Sequence, residues 1–207
     1  MTRRGGWIDP MAGMPGRRLF IAVPLDAAAV AAVTGIVDTV RAEPLPAGMH
    51  DVRWVRMDGL HLTLRFLGPT PDERIDPAID AMTQVVAGLG PVAGRLAGVG
   101  TFPESGRPRA IWIGITDGAV PLGTLSERLG VALASAGWPV DDRPFRPHLT
   151  LARADGLVAG PLVARRLEVA VADRTIPFVL DRLALFESVT GGGPARYVPL
   201  AEALMRP

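Results

Sequence analysis

The spacing of apolar residues divides this chain into short extended runs and helical stretches. Residues 18–25 read Arg-Leu-Phe-Ile-Ala-Val-Pro-Leu, a strand-like run broken at proline, and the Ala- and Val-rich stretch from Asp26 to Arg41 then carries helical spacing. Pro44, Pro46 and Gly48 mark a loop, Val52 to Arg56 fits a short strand, and Leu60 to Leu67 fits another, closed by Gly68-Pro69. Between Pro71 and Gly88, residues Ile75, Ile79, Met82, Val85 and Val86 recur at helical intervals, with Asp72 and Glu73 in the first turn, where the helix dipole favours acids. Pro91 to Thr101 and Ala110 to Thr116 read as strands around a Pro-, Gly- and Arg-rich loop, Phe102 to Arg109, suited to a ligand rim or a plain hairpin tip. A third helix, Ala119 to Gly137, shows Leu122, Leu125, Leu129 and Leu133 as its stripe, and Pro147 to Ala154 is again a strand. Beyond Gly160 a short helix or turn leads to Leu167–Val171, followed by strands at Phe178–Glu187 and Tyr197–Leu204 joined across Gly191-Gly192-Gly193. Roughly four helical segments and about eight strands, with few parallel crossovers, predict an α+β fold of two antiparallel sheets. Residues 1–17 lack periodicity and are expected to form a flexible extension, leaving 18–207 as one bilobed domain.

Within this pattern one tetrapeptide occurs twice: His61-Leu62-Thr63-Leu64 and His148-Leu149-Thr150-Leu151. Alternate side chains of a strand share a face, so each copy presents an imidazole and a hydroxyl together and turns both leucines to the core. A lone histidine in an apolar strand is most often a structural residue. Two identical copies, about half the ordered chain apart, imply a duplicated lobe with the motif strands facing each other across the interface, where ligand sites concentrate. One imidazole could then give a proton while the other takes one. His50, in a Pro/Gly loop without the pattern, reads as exposed and incidental.

Composition narrows the chemistry. The chain has no cysteine, and all 22 of its basic residues are arginine, which removes thiolate nucleophiles, lysyl-adenylate formation and a P-loop lysine. A net charge of +1 does not suit a protein that coats duplex nucleic acid, so any such contact is expected to be local. No secretory leader or bilayer-spanning run is visible, which predicts a cytoplasmic protein. A metal is not expected, because Asp58 and Asp155 lie near the motifs without His-x-x-x-His or His-Glu-x-x-His spacing. Thr63 and Thr150 lack a third orienting group for nucleophilic attack and fit better as donors to phosphate oxygens. Arg143-Pro144-Phe145-Arg146-Pro147 brings two guanidinium groups to the edge of the second copy, for phosphate or for a salt bridge with Asp141 or Asp142.

These flanks carry a resemblance. Arg18-Leu19-Phe20-Ile21-Ala22, Leu60 to Gly68, Phe102-Pro103 through Arg107 to Gly114, Arg143 to Arg153 and Leu185-Phe186-Glu187-Ser188 together resemble the RNA 2′,3′-cyclic phosphodiesterases, historically called 2′-5′ RNA ligases, of the two-histidine phosphoesterase superfamily. The resemblance implies a bilobed fold of two antiparallel-sheet lobes with outer helices, related by a pseudo-twofold axis around an active cleft. It also implies metal-free opening of a cyclic phosphate to a 2′-phosphomonoester. His61 would match the general acid and His148 the base, although the residues alone do not order the two. Thr63 and Thr150 would hold nonbridging oxygens, Arg146 would assist, and Phe20 and Tyr197 would stack on a base. Expected partners are RNA ends or small nucleotides with a 2′,3′-cyclic phosphate, acted on by a monomer. The alternatives are 2′-5′ joining, a cyclic phosphate on an ADP-ribose product, or an RNA-binding module without turnover. The family often presents lysines toward RNA, and here only arginine is available.

Overall fold

A computed structural model describes residues 16–49, 52–154, 158–191 and 193–207. It comprises, in order, β1 (Arg17–Pro24), α1 (Ala27–Ala42), β2 (Val52–Trp54), β3 (His61–Thr70), α2 (Ile75–Val86), β4 (Val92–Phe102), β5 (Ala110–Ile115), α3 (Ala119–Ser135), β6 (His148–Ala154), α4 (Ala159–Val171), β7 (Ile176–Leu180), β8 (Arg182–Gly191) and β9 (Gly193–Leu204). Of the expected N-terminal extension, 1–17, residues 1–15 lie outside the described residues, and Arg17 already belongs to β1. The strands form two antiparallel sheets, one ordered β3-β1-β8-β9 and the other β2-β6-β5-β4-β7.

Sequence order and spatial order part company in a symmetric way. In the first half β1 pairs with β3, and in the second β5 pairs with β6, but the next long strand changes sheets: β4 joins β5 and β8 joins β1. The helices also cross over. Helix α1, leaving β1, packs with α4 on the five-stranded sheet, while α3, leaving β5, packs with α2 on the four-stranded one. Each sheet is therefore covered by one helix from each half, and the lobes share one continuous cluster of buried apolar residues.

Local chemistry explains the elements. The Asp26 carboxylate caps α1 by accepting from the Ala29 N–H at 2.9 Å, and its other oxygen accepts from the Val179 N–H at 3.0 Å, pinning the helix start to β7. The stripe Leu122, Leu125, Leu129 and Leu133 of α3 is buried, as its spacing predicts, and Gly137 with φ of 88° ends that helix in the left-handed region. Asp72 and Glu73 sit in a one-turn 3-10 helix ahead of α2 instead of in its first turn.

Two further expectations are corrected. The short helix or turn past Gly160 is a helix of 13 residues, and the single strand at Phe178–Glu187 is two, broken at Asp181 and shared between the sheets. Along β1, Leu19, Ile21 and Val23 enter the shared core, while Phe20 and Ala22 point the other way and form a second small cluster with Ala184, Phe186 and Tyr197. That second cluster is the floor of the candidate site.

Candidate active site

Strand register places the two motifs in equivalent positions. Pro24 lies opposite His61 and Ala22 opposite Thr63, while Gly114 lies opposite His148 and Trp112 opposite Thr150. Strands β3 and β6 pack against each other where the two sheets meet. Leu62, Leu64, Leu149 and Leu151 are all buried in the shared core, so the imidazoles and hydroxyls occupy the opposite face.

Both imidazoles are held in the same manner. His61 Nδ1 lies 2.7 Å from the Gly59 carbonyl, and His148 Nδ1 lies 2.7 Å from the Arg146 carbonyl, each two residues upstream. A carbonyl only accepts, so Nδ1 carries the proton in both rings and a neutral imidazole keeps its lone pair on Nε2. Among the described residues nothing hydrogen-bonds either Nε2 or either threonine hydroxyl, which leaves four polar groups free for one ligand.

The surroundings of the two rings differ. His61 is packed by Phe20 at 4.8 Å, Phe186 at 5.8 Å and Tyr197, edge-on, at 4.8 Å. His148 meets Phe102 edge-on at 4.9 Å and Trp112 at 5.9 Å. Burial pushes both imidazoles below the usual histidine range; the charge of His148 lowers His61 further, and Arg153 lowers His148. The mutual repulsion disfavours two protonated rings, and a pair with one charged and one neutral member is what paired acid and base chemistry needs.

A structural device that the sequence did not reveal extends both motifs. In each motif strand the ladder slips by one residue just past the threonine, at a β-bulge. The fifth residue after each histidine thereby returns to the cleft face: Phe66 opposite Phe20, and Arg153 opposite Ala110. Phe66 is 61% exposed, and the charge of Arg153 reaches both His148 and the Tyr197 hydroxyl. The shared offset of Phe66 and Arg153 from the histidines was the available signal, but only the register gives it meaning.

Of the other sequence-predicted residues, Phe20 is 2% exposed and stacks on Phe186 at 5.3 Å beneath His61, and Tyr197 closes the same floor, its hydroxyl pKa raised by burial. Arg146 forms an ion pair with Glu104 of the β4–β5 hairpin, so that loop rims the approach to His148. Arg143 forks onto Asp141 at 2.8 and 2.7 Å. Asp141 also lies 3.6 Å from Arg65 of β3, and these guanidinium groups, Arg143 foremost, lower its carboxyl to about 2. His50 and Asp155 lie outside the described residues. No group of three His, Cys, Asp or Glu among the described residues could hold a metal ion, and no described helix is long and apolar enough to cross a membrane. A cavity of about 420 Å³ between β4 and the end of α4, edged by Glu168, Asp173 and Arg174, lies apart from all of these groups.

Comparison with known proteins agrees with this geometry. Residues 27–192 match the family model described as the 2′-5′ RNA ligase superfamily. The chain is 38% identical over 134 residues to an RNA 2′,3′-cyclic phosphodiesterase of Geobacillus stearothermophilus, covering 65% of this chain but only 41% of that protein. An Archaeoglobus fulgidus protein of the same name is 31% identical over 66% of this chain and 72% of its own. Among solved structures, TT0787 of Thermus thermophilus superimposes with a TM-score of 0.70 at 26% identity, covering 91% of this chain and 98% of that one. Escherichia coli LigT complexed with 3′-AMP gives 0.67 at 25% identity, with coverage of 91% and 98%.

Proposed function

Because the chain belongs to the 2′-5′ RNA ligase superfamily, we propose that it opens 2′,3′-cyclic phosphates at RNA ends to 2′-phosphomonoesters, with His61 and His148 exchanging the protons. The observation that carries this reading is the pair of imidazoles with Nδ1 fixed on a carbonyl and Nε2 unclaimed, each beside a free threonine hydroxyl. In the step, His148 takes a proton from water as its oxygen bonds to phosphorus. The bond from phosphorus to the 3′ oxygen breaks, and His61 protonates that oxygen. Thr63 and Thr150 donate to the nonbridging oxygens, and Arg153 offsets the charge that builds on them. Phe66 offers an exposed face on which a base can stack. Arg143 and Arg146 steer the anionic end toward the cleft, and their partners Asp141 and Glu104 hold them there. Both halves of the site come from one chain, which suits a monomer, and RNA ends as substrate suit the cytoplasm.

The test is to incubate purified protein, in EDTA, with an oligonucleotide ending in a 2′,3′-cyclic phosphate and to identify the product by phosphorus NMR. A 2′-phosphate is expected. A 3′-phosphate, no product, or unchanged turnover by His148→Ala would overturn the reading. Adding an acceptor with a free 5′-hydroxyl to the same mixture measures joining, in which the proton roles reverse.

A further inference from the structure

Beside His61 lies a cavity of about 190 Å³ lined by Arg56, Asp58, Gly59, Arg196 and Tyr197. Two of these residues also touch the imidazole: the Gly59 carbonyl anchors Nδ1, and the Tyr197 ring meets it edge-on. The cavity therefore borders the His61 half of the site. Glycine at 59 keeps this wall thin, because a Cβ there would lie 3.2 Å from Cδ2 of Tyr197.

The charges in the cavity do not cancel. Arg56 is neutralised by Asp58 through a two-pronged contact of 3.1 and 2.6 Å. Arg196 is exposed and makes no ion pair with any described residue. A guanidinium without a carboxylate partner can bind phosphate through two parallel N–H bonds. The 5′ and 3′ oxygens of a nucleotide sit at opposite ends of one ribose, so a nucleotide with its cyclic phosphate at the histidines sends its 5′ group one sugar away.

We propose that this cavity is a subsite for a second phosphate, the one on the 5′ side of the terminal nucleotide, so that the protein favours oligonucleotide ends and 5′-phosphorylated nucleotides over bare nucleoside cyclic phosphates. The proposal rests on the cyclic-phosphate reading and names the substrate class within it.

Binding of product analogues tests it without turnover. Calorimetry with adenosine 2′-phosphate and adenosine 2′,5′-bisphosphate is expected to give about a tenfold tighter Kd for the bisphosphate, a difference of about 1.4 kcal/mol. Arg196→Ala should erase that preference and Arg196→Lys restore part of it, while Arg128→Ala on the exposed side of α3 should retain it, separating a local site from general attraction to positive charge. Equal affinities in the unmodified protein, no binding of either ligand, a preference that survives Arg196→Ala, or an equal loss in Arg128→Ala would each overturn the subsite. Absence of cyclic-phosphate hydrolysis, with the binding preference intact, would defeat the hydrolase reading and leave the subsite standing.

Discussion

The two halves of the site carry the same four residues in the same register, yet little else around them is shared. His61 lies among Phe20, Phe186 and Tyr197, whereas His148 has Phe102 and Trp112 on one side and Arg153 in electrostatic reach. After the matching bulges, one half supplies an exposed ring at Phe66 and the other a guanidinium at Arg153. The two halves thus share the paired imidazoles and hydroxyls and differ in their flanks, one aromatic and the other cationic. A symmetric pair of histidines alone would accept a substrate in either orientation; the differing flanks make the two ends of the site chemically distinct.

The strongest way to break this comparison is to remove one imidazole at a time. His61→Ala and His148→Ala should each lower kcat on the order of a hundredfold or more. A half that proves dispensable would mean that the symmetry is structural. Thr63→Val and Thr150→Val come next, since a hydrogen bond to a charged group contributes about 1.5–3 kcal/mol, so kcat/KM should fall about ten- to a hundredfold in both variants. Unequal losses would show which half bears more of the phosphate charge.

Phe66→Ala and Arg153→Met probe the divergent flanks. Loss of one stacked base costs about 1–3 kcal/mol, so Phe66→Ala should raise KM about tenfold with little change in kcat. Arg153→Met has a pH signature: Arg153 lowers the His148 pKa, so the limb of the pH–rate profile that reports His148 should move to higher pH, while the His61 limb stays in place. A profile unmoved by this change would remove Arg153 from the site.

The smallest expected effect concerns stability. Both histidines have folded pKa values below their unfolded value of about 6.5, so the unfolded chain binds more protons once the pH falls below that value. Their contribution is complete above about pH 6.5 and is lost as the pH drops through the folded values. Melting temperatures at pH 7.5 and pH 5 should fall less steeply in the His61→Gln/His148→Gln double variant than in the unmodified protein.

The strand alternation, the leucine stripe of α3 and the twin His-Leu-Thr-Leu motifs were legible in the sequence because they depend on local periodicity and on side-chain chemistry. The break at Asp181 was not, since apolar residues continue on both sides of it with no glycine or proline next to it, and only the sheet that each half joins separates them. The flanks of the site were hidden for a related reason. Phe66 and Arg153 reach the cleft through a one-residue slip in a ladder, and a slip is a property of two strands together.

The sequence by itself thus determined which groups can move protons, that they come as a pair, and which face of each strand carries them. The tertiary structure decided that the two motif strands meet, because each sheet is built from strands and helices of both halves. It also decided what each histidine faces, because burial and neighbouring charge arise only where segments distant in the chain pack together.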